Sequence, residues 1–489
     1  MTTATVPRGI GDALTDLPVG HFIGGHWTDD PTLQPVENPA TGEMIAAVAD
    51  ADAGTGMAAL NAAVAAQESW AATHPRARAD LLMRAFDLLH ERADRIATLI
   101  TLEMGKPYAE ARGEVAYGAE FLRWFAEEGV RGGGDYFRAP AGDQRIVVTR
   151  QPVGPVYAIT PWNFPLAMAT RKIAPALAAG CTVVLKPAPQ TPLTALEFMR
   201  VLADAGLPAG VVNCVTTSNA AEVSTPIITD PRLRKLTFTG STVVGRLLLA
   251  QASRRVLRTS MELGGNAPFV VLESADLDKA VAGAVLAKMR NTGQACVSAN
   301  RFLVHESLAA DFGDRLAAEL SRLPVGDGLA PSTRVGPLID SAAVDRVEGL
   351  VRDAAERGAQ VRTCAEIGSG PGYFVAPAVL TGVDPESRVW REEIFGPVAP
   401  IRTFADTEQA LAAANDSEAG LVGYVYGENL GETMRFAEGL QTGMCGVNTG
   451  IISEVAAPFG GVKASGLGRE GGSAGLDEYL EVKYIGVAL

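Results

Sequence analysis

The chain has 489 residues, of which 47% are hydrophobic and 20% charged, and its formal net charge at pH 7 is −14. That length exceeds what one hydrophobic core usually organises, so we expect at least two lobes. The acidic balance argues against nucleic acid or an anionic membrane as the main partner. No uncharged apolar run approaches the roughly 20 residues of a membrane helix, and the N-terminal stretch lacks the apolar segment of a secretory signal.

The first part of the chain is predicted to be mainly helical. The stretch up to about residue 50 is rich in Gly and Pro and is predicted to be irregular, with one short strand at 44–49. Apolar residues then recur at helical spacing in three segments, 57–72, 76–102 and 109–128. Three consecutive glycines at 132–134 end this region, and residues 145–150 are predicted to form an exposed strand.

From residue 153 onward, strands and helices alternate. Strands are predicted at 156–160, 182–185, 211–215 and 235–238, and helices at 166–178, 194–205, 220–228 and 242–252. This rhythm predicts an α/β fold with a parallel, doubly wound sheet, the usual home of a nucleotide. A second alternation has strands at 267–272 and 302–304 and helices at 277–290, 308–323 and 341–356. It predicts a second α/β lobe that carries the catalytic residues.

Cys296 lies in a polar loop, RNTGQACVSANR at 290–301. A thiol in such a loop is poorly placed to be a core side chain and well placed to meet a substrate. The alternative for any single Cys is a small buried side chain, and Cys181, Cys214 and Cys445 fit that alternative because their neighbours are apolar. Five scattered cysteines do not form a disulfide framework. None of the five histidines forms a recognisable motif with Cys296, so a protease-like Cys–His pair is not expected.

Two further segments supply partners for this thiol. Glu262 is a lone carboxylate in SMELGGNAP at 260–268, and Asn163 is an amide between two prolines in PWNFP at 161–165. Taken alone, Glu262 is also compatible with a surface carboxylate, and Asn163 with a turn-forming residue.

Together these three segments resemble the aldehyde dehydrogenase superfamily. The resemblance runs from NPATG at 38–42 to PFGGVK at 458–463. Within the superfamily the sequence is most similar to the succinate-semialdehyde dehydrogenases, through NFP followed by TRK at 170–172, the loop of Cys296, NTGIIS at 448–453 and the tail KASGLGREG at 463–471.

The resemblance implies an architecture of three parts. We expect a Rossmann-like NAD(P)-binding domain, a catalytic domain and a small β element for oligomerisation. Their expected bounds are 1–134 with 153–261, 262–453, and 135–152 with 466–489.

The resemblance also implies a mechanism. Cys296 attacks the aldehyde, and Asn163 together with the backbone N–H of Cys296 stabilises the oxyanion, where one such donor typically contributes ~3–4 kcal/mol. After hydride transfer to the nicotinamide, Glu262 acts as the general base that hydrolyses the thioester, and its apolar flanks should raise its pKa. We expect the thiolate to be favoured by a helix terminus, backbone amides and the cationic nicotinamide.

Cofactor contacts are expected at the turn FTGSTVVG, residues 238–245, which leads from a strand into a helix through Gly240, Ser241 and Gly245. A helix N-terminus offers free N–H groups to a pyrophosphate, although Gly-Ser is also a common helix cap. By resemblance, Lys186 contacts the adenine ribose and Glu393 the nicotinamide ribose. The remaining cofactor contacts implied by resemblance are Thr160, Pro161, Trp162, Leu263 and Phe395.

Pro189 departs from the pattern of NAD-preferring relatives, which commonly carry Glu at this position. A carboxylate there binds the ribose 2′-hydroxyl and repels a 2′-phosphate. Pro189 removes that repulsion, so we expect NADP to be preferred, with NAD as the alternative. Glu222 would oppose a 2′-phosphate if it pointed inward.

The substrate is expected to be an aldehyde with a remote carboxylate. Arg171, Arg290 and Ser453 occupy family-matched positions, and guanidinium groups suit carboxylates through paired hydrogen bonds. The alternative for either arginine is a surface salt bridge. We therefore expect oxidation of succinate semialdehyde to succinate.

Other functions stay open at this point. Glutarate semialdehyde is the alternative substrate, because one methylene is worth only ~1–3 kcal/mol in a pocket. A CoA-acylating enzyme is disfavoured by the presence of Glu262, and a non-catalytic protein by the intact Cys, Glu and Asn set; a weak thiol esterase is the remaining alternative. We expect no metal, a homodimer or homotetramer, and a cytoplasmic location.

Overall fold

The structure, a computed structural model, describes residues 13–368 and 370–488. Its strands are, in chain order, β1 (His21–Ile23), β2 (His26–Thr28), β3 (Leu33–Asn38), β4 (Glu43–Ala49), β5 (Asp135–Arg138), β6 (Gln144–Pro152), β7 (Val156–Ile159), β8 (Val183–Lys186), β9 (Val212–Cys214), β10 (Lys235–Thr239), β11 (Arg258–Glu262), β12 (Ala267–Val271), β13 (Ala299–His305), β14 (Gln360–Thr363), β15 (Ala378–Thr381), β16 (Val398–Phe404), β17 (Ala419–Gly420), β18 (Val422–Tyr426), β19 (Met444–Val447), β20 (Val462–Lys463), β21 (Gly466–Leu467) and β22 (Leu480–Ala488).

The helices follow the predicted segments closely in the two lobes, and the helix predicted at 341–356 has those bounds. In chain order they are α1 (Ala53–Ala72), α2 (Pro75–Glu91), α3 (Ala93–Met104), α4 (Tyr108–Arg131), α5 (Pro165–Ala179), α6 (Pro192–Asp204), α7 (Ala220–Thr229), α8 (Thr242–Ser253), α9 (Leu277–Met289), α10 (Ala309–Leu320), α11 (Ser341–Glu356), α12 (Arg388–Arg391), α13 (Thr407–Asn415), α14 (Leu430–Gly439) and α15 (Ala474–Asp477). The single helix predicted at 76–102 is wrong, because the backbone leaves the helical conformation at Arg92 between α2 and α3.

An eight-stranded sheet forms the first lobe, in the order β2-β1-β9-β8-β7-β10-β11-β21. The five strands from β9 to β11 are parallel. The chain runs from β7 to β8 and β9 on one side and then crosses to β10 and β11 on the other. The strand order therefore reverses between β7 and β10, and a crevice opens at the carboxyl ends of these two strands, where ligands bind in such sheets.

Helices cover both faces of this sheet. Side chains of α2 to α6 form a hydrophobic core against one face, and side chains of α1, α7 and α8 form another against the opposite face. The predicted α/β class with a doubly wound sheet is confirmed.

The strand predicted at 44–49 is present as β4, but the prediction that the rest of the first 50 residues is irregular is wrong. This stretch also contains β1, β2 and β3, and β1 joins the edge of the first sheet through Phe22, which pairs with Cys214. In β3 the polar Gln34 and Asn38 point inward while Leu33 is exposed. This inverted pattern, together with Pro35, hides the strand from an analysis of apolar alternation.

The second lobe is built on a seven-stranded sheet in the order β14-β15-β16-β13-β12-β18-β19. All neighbouring strands are parallel except the pair β14 and β15. Apolar side chains pack on both of its faces. The loop of Cys296 leads directly into β13, near the centre of this sheet.

A three-stranded antiparallel sheet, β22-β6-β5, stands apart from both lobes. Its strand β22 pairs with β6 from Leu480, opposite Pro152, to Ala488, opposite Gln144. The short strand β21, in contrast, lies in the first sheet beside Met261 and Glu262. Residues 466–467 thus belong with the first lobe, while positions 1–12 and 489 of the expected domains lie outside the described residues.

Candidate active site

The crevice between β7 and β10 leads into a cavity of about 200 Å³. It brings together the three residues expected to be catalytic, Cys296, Glu262 and Asn163, and seven of those expected at the cofactor. The full lining is Pro161, Trp162, Asn163, Met168, Thr239, Gly240, Ser241, Glu262, Leu263, Gly264, Cys296, Arg346, Glu393 and Phe395. A larger surface cleft of about 780 Å³ beside α10 and β14 contains none of the predicted site residues.

The cavity lies where several strands end. Thr160, whose N–H donates to Lys186 O at 3.1 Å, follows β7 and leads to Trp162. Gly240 follows β10, and its N–H donates to Glu262 O at 3.0 Å. Glu262 is itself the last residue of β11. Because these strands are parallel, all of these residues lie at the same carboxyl-terminal edge of the sheet.

Cys296 is the only residue of the segment 291–300 that is not fully buried. Two consecutive residues before it, Asn291 and Thr292, have φ angles of 52° and 56°, which is costly for a β-branched residue and requires support from the surroundings. Gly265 lies so close behind the loop that a Cβ there would be 2.5 Å from the carbonyl oxygen of Cys296. The loop is thus pressed against the end of β11, with the thiol directed at the cavity.

Cys296 does not itself lie at a helix terminus, but its loop is joined through Gln294 O to Asn163 Nδ2, two residues before α5 begins. The thiol lies in a turn closed by the N–H of Ser298 and the carbonyl of Ala295 at 2.9 Å. Burial raises the pKa of Cys296 to about 12, while the charge of Arg171 and, to a smaller extent, that of Arg290 lower it. Of the nearby charges, Arg171 and Arg290 favour the thiolate, and the carboxylates of Glu393 and Glu262 oppose it.

Asn163 immediately precedes the cap of α5. Its Nδ2 donates to Gln294 O at 3.1 Å, in the loop of Cys296, and the amide has a second N–H that is available to the cavity. Lys106, which forms a buried ion pair with Glu114, donates from Nζ to Asn163 O at 2.7 Å. Glu114 in turn accepts from Leu166 N at 2.9 Å and caps the first turn of α5. This pair, which holds the main chain at Asn163, was not predicted from the sequence.

Glu262 is 3% exposed, and neither of its carboxylate oxygens has a hydrogen-bond partner among the described residues. Burial raises its pKa well above the usual range, and the nearby negative charge of Glu470 raises it further. A carboxyl group with such a pKa and free oxygens suits a general base.

Glu470 is a second residue that the sequence analysis missed. It is buried, and its two oxygens lie 2.5 Å from Arg171 Nε and 2.5 Å from Lys172 Nζ. Lys172 Nζ also donates to Thr237 Oγ1 at 3.1 Å. The only signal for Glu470 was a lone carboxylate in the Gly-rich tail GLGREGG, which the analysis used only as part of the resemblance.

The walls of the cavity on the side of β10 are compatible with a nucleotide. Ser241 caps α8 by accepting from Val244 N at 3.4 Å, and Gly245 brings α8 close to Leu263, since a Cβ there would be 2.4 Å from its side chain. Lys186 and Pro189 lie outside the cavity lining; Lys186 Nζ donates to Pro187 O at 3.0 Å.

Glu393 and Phe395 form the opposite wall. Glu393 Oε1 accepts from Gly265 N at 3.0 Å, and burial raises its pKa to about 7. The ring of Phe395 meets that of Trp162 edge to face at 5.4 Å. A Cβ on Gly264 would lie 2.8 Å from Glu393 Oε2, so glycine keeps this space open.

The two predicted substrate arginines differ in their partners. Arg290 Nη1 donates to Ser453 Oγ at 3.0 Å, and its guanidinium lies 4.9 Å from the ring of Phe164. In the part of the chain that the structure describes, no carboxylate lies within ion-pair distance of Arg290. Arg171, by contrast, is fully buried against Glu470 and Phe459. Neither arginine therefore takes part in a surface salt bridge, which was the alternative for these positions.

Comparison with known proteins decides the family. The sequence profile of the aldehyde dehydrogenase family matches residues 27–485. The chain belongs to the aldehyde dehydrogenase family. It is accordingly an NAD(P)-dependent oxidoreductase, and the predicted family and enzyme class are confirmed.

The relatives of this aldehyde dehydrogenase agree on the class of substrate. The succinate-semialdehyde dehydrogenase of Paenarthrobacter nicotinovorans is 57% identical over 445 residues, which cover 91% of this chain and 99% of that protein. The succinate-semialdehyde dehydrogenase [NADP(+)] GabD of Escherichia coli (strain K12) is 47% identical, covering 96% and 97%. The glutarate-semialdehyde dehydrogenase of Pseudomonas aeruginosa is also 47% identical, covering 95% and 96%.

A solved structure of a relative is also similar to this chain in both sequence and fold. The succinate-semialdehyde dehydrogenase from Burkholderia pseudomallei has a TM-score of 0.95 and 46% identity, covering 99% of this chain and 100% of that chain. The fold of this aldehyde dehydrogenase is therefore that of its relatives over nearly its whole length.

The cavity of this aldehyde dehydrogenase fits the nicotinamide end of NAD(P). The open space at Gly264, the aromatic edges of Trp162 and Phe395 and the carboxylate of Glu393 match a flat ring joined to a ribose diol. Across 13–368 and 370–488, no three His, Cys, Asp or Glu side chains are grouped as a metal site. No helix in the described residues is long and apolar enough to span a bilayer.

Proposed function

We propose that this enzyme oxidises succinate semialdehyde to succinate, with NADP as the preferred acceptor. The observation that carries the proposal is Arg290, a guanidinium without an acidic partner among the described residues, joined to Ser453 and close enough to Cys296 to lower the pKa of the thiol. Such a group would attract an aldehyde with a remote carboxylate. The names of the relatives support the same substrate class.

In the proposed mechanism, Cys296 Sγ attacks the aldehyde carbon, and the carbonyl oxygen takes the negative charge. The free N–H of the Asn163 amide and the N–H of Cys296 donate to that oxygen. NAD(P), held at its nicotinamide end by Trp162, Glu393 and Phe395, would supply the acceptor for the hydride that leaves this carbon. A thioester on Cys296 is then cleaved by a water molecule whose proton passes to Glu262, and succinate and the thiol are released.

The proposal is tested by the steady-state kinetics of three aldehydes: succinate semialdehyde, glutarate semialdehyde and butanal. A carboxylate bound by a partly desolvated guanidinium contributes ~2–5 kcal/mol, so we expect kcat/KM to be at least about 30-fold higher for succinate semialdehyde than for butanal. Equal values for the two would refute the proposal. A higher value for glutarate semialdehyde would favour the second candidate, which the Pseudomonas relative supports.

Cofactor preference provides a separate prediction. We expect a higher kcat/KM with NADP than with NAD, and replacement of Pro189 by Glu should move the ratio toward NAD by about tenfold or more, ~1.4 kcal/mol, because a carboxylate repels the 2′-phosphate. Glu222→Gln is the matched control. Glu222 is exposed and already accepts from Asn219 Nδ2 at 2.8 Å, so its loss should leave the ratio unchanged. A wild-type preference for NAD would contradict the argument.

We further propose that the sheet β22-β6-β5 assembles the enzyme into a homodimer or homotetramer. Its exposed side chains include Tyr136, Val482 and Tyr484, at 69%, 69% and 58%, and apolar patches on a small sheet commonly mark an interface. We also propose that residues 1–134 with 153–261 form the NAD(P)-binding domain and that residues 262–453 form the catalytic domain.

All five cysteines are free, which supports a cytoplasmic location.

A further inference from the structure

Tyr117 has a buried hydroxyl that lacks a hydrogen-bond partner among the described residues. The residue lies on α4, which packs along α5, the helix of Arg171. The helices approach closely at the neighbouring Gly118, where a Cβ would lie 3.3 Å from Ala167 Cα and 3.3 Å from Thr170 Oγ1. Tyr117 thus lies on the part of α4 that packs beside the turn of α5 preceding Arg171.

Both guanidinium groups of the proposed substrate anchor lie near this side chain. The guanidinium carbon of Arg290 is 6.0 Å from the centre of the Tyr117 ring. Burial disfavours the charge of Arg171, but Glu470, followed by Tyr117, raises the pKa of Arg171 above its usual value. Tyr117 also packs against the apolar cluster that contains Phe164 and the Cys296 side chain. Tyr117 therefore lies beside the proposed anchor and packs against the same apolar cluster as the Cys296 side chain.

A buried hydroxyl without a partner is unusual, because such a group loses its hydrogen bonds to water and gains none in exchange. Its neighbours here cannot satisfy it fully, since a guanidinium only donates hydrogen bonds and the phenol keeps its own O–H unused. What the region lacks is an acceptor. A carboxylate supplies several acceptor positions and would also compensate the charge of Arg290.

We propose that the Tyr117 hydroxyl donates a hydrogen bond to the remote carboxylate of the substrate and, with Arg290 and Ser453, determines the preference for carboxylated aldehydes. This inference rests on the proposed function, because it requires a substrate with that carboxylate. Tyr117 is then a specificity-determining residue in addition to those recognised from the sequence, where it served only as an aromatic position of a predicted helix.

The same helix contains a matched control. Tyr108, the first residue of α4, donates its hydroxyl to Asp94 Oδ1 at 2.9 Å, and its ring, unlike that of Tyr117, is not in contact with the guanidinium of Arg290. Tyr108→Phe removes a hydrogen bond made within the protein, whereas Tyr117→Phe removes a hydroxyl that has none. The first change should lower Tm, and the second should leave Tm unchanged or raise it.

The experiment measures kcat and KM of the wild type, Tyr117→Phe and Tyr108→Phe with succinate semialdehyde and with butanal, at saturating NADP. For Tyr117→Phe we expect KM for succinate semialdehyde to rise by about 10- to 100-fold, the usual effect of one hydrogen bond to a charged group. The values for butanal should change far less, so the preference for the carboxylated aldehyde collapses. Tyr108→Phe should keep the wild-type preference.

The outcomes separate the two proposals. If the wild type prefers succinate semialdehyde and Tyr117→Phe keeps that preference, the role of Tyr117 is refuted and the proposed function stands. If the wild type shows no preference, both are refuted. A parallel loss with both aldehydes, accompanied by a lower Tm, would show that Tyr117 is structural and would also overturn the inference.

Discussion

Replacing Glu262 with Gln is expected to leave one burst of NAD(P)H per active site and to reduce steady-state turnover by about 10²- to 10⁴-fold. The amide keeps the size of the side chain but cannot accept a proton from water. Formation of the thioester, which relies on Cys296 and Asn163, should proceed. Stopped-flow absorbance of NAD(P)H with succinate semialdehyde measures the burst and the steady state in one trace.

Cys296→Ala should lose the burst as well as the turnover, because both half-reactions need the sulfur. Ser298→Ala is the control in the same turn. Its hydroxyl donates to Lys288 O at 3.2 Å and is not part of the cavity lining, so turnover should persist. Full steady-state turnover by Glu262→Gln would end the assignment of Glu262 as the base that hydrolyses the thioester.

The pH dependence of the wild-type enzyme should also show that Glu262 acts as the base. Water activation requires the ionised carboxylate, and burial together with Glu470 raises the pKa of Glu262. The rate of thioester hydrolysis should therefore rise with pH and level off only above the range in which an ordinary Glu ionises. In Glu262→Gln this dependence on pH should disappear from the residual rate.

The two α/β lobes of this enzyme could be predicted from the sequence because the local sequence of each strand and helix matches the structure that it forms. Strands such as β7 and β12 are short apolar runs, and the helices begin with recognisable signals such as Ser241 at the cap of α8. The strand β4 was predicted at 44–49, but β1, β2 and β3 were not. The missed strands depend on contacts with distant segments; the turn between β1 and β2, for example, is held by Asn213, whose Oδ1 accepts from Gly24 N at 2.9 Å.

Residues of the site were predicted where a short motif carries them, as with Cys296, Glu262 and Asn163. Their supports could not be predicted, because they come from distant segments. Glu470 is 298 residues from Lys172, and Lys106 is 57 residues from Asn163. The expectation of a helix terminus at Cys296 failed for a related reason. The loop is held by Gln294, which donates to Pro337 O at 3.2 Å and accepts from Ile339 N at 3.0 Å, and these are tertiary contacts that no local pattern records.

Replacing Arg290 with Ala is expected to lower kcat/KM for succinate semialdehyde by about 30-fold or more, ~2–5 kcal/mol, and to change the value for butanal little. The reason is that no carboxylate among the described residues lies within ion-pair distance of Arg290, and its one side-chain hydrogen bond in the structure is to Ser453 Oγ. Arg290→Lys should recover part of the loss, since an ammonium group restores the charge without the paired N–H geometry.

Arg171→Ala should behave differently, although both arginines occupy family-matched positions. Arg171 forms a buried ion pair with Glu470 at 2.5 Å, and removing one partner of such a pair costs ~3–5 kcal/mol of stability. The uncompensated charge of Glu470 would also disturb Glu262. We therefore expect Arg171→Ala to lower Tm and to impair both aldehydes, whereas Arg290→Ala should keep Tm and impair only the carboxylated one. If Arg290→Ala lost activity equally with both aldehydes, Arg290 would be structural, and the substrate could be specified only as an aldehyde.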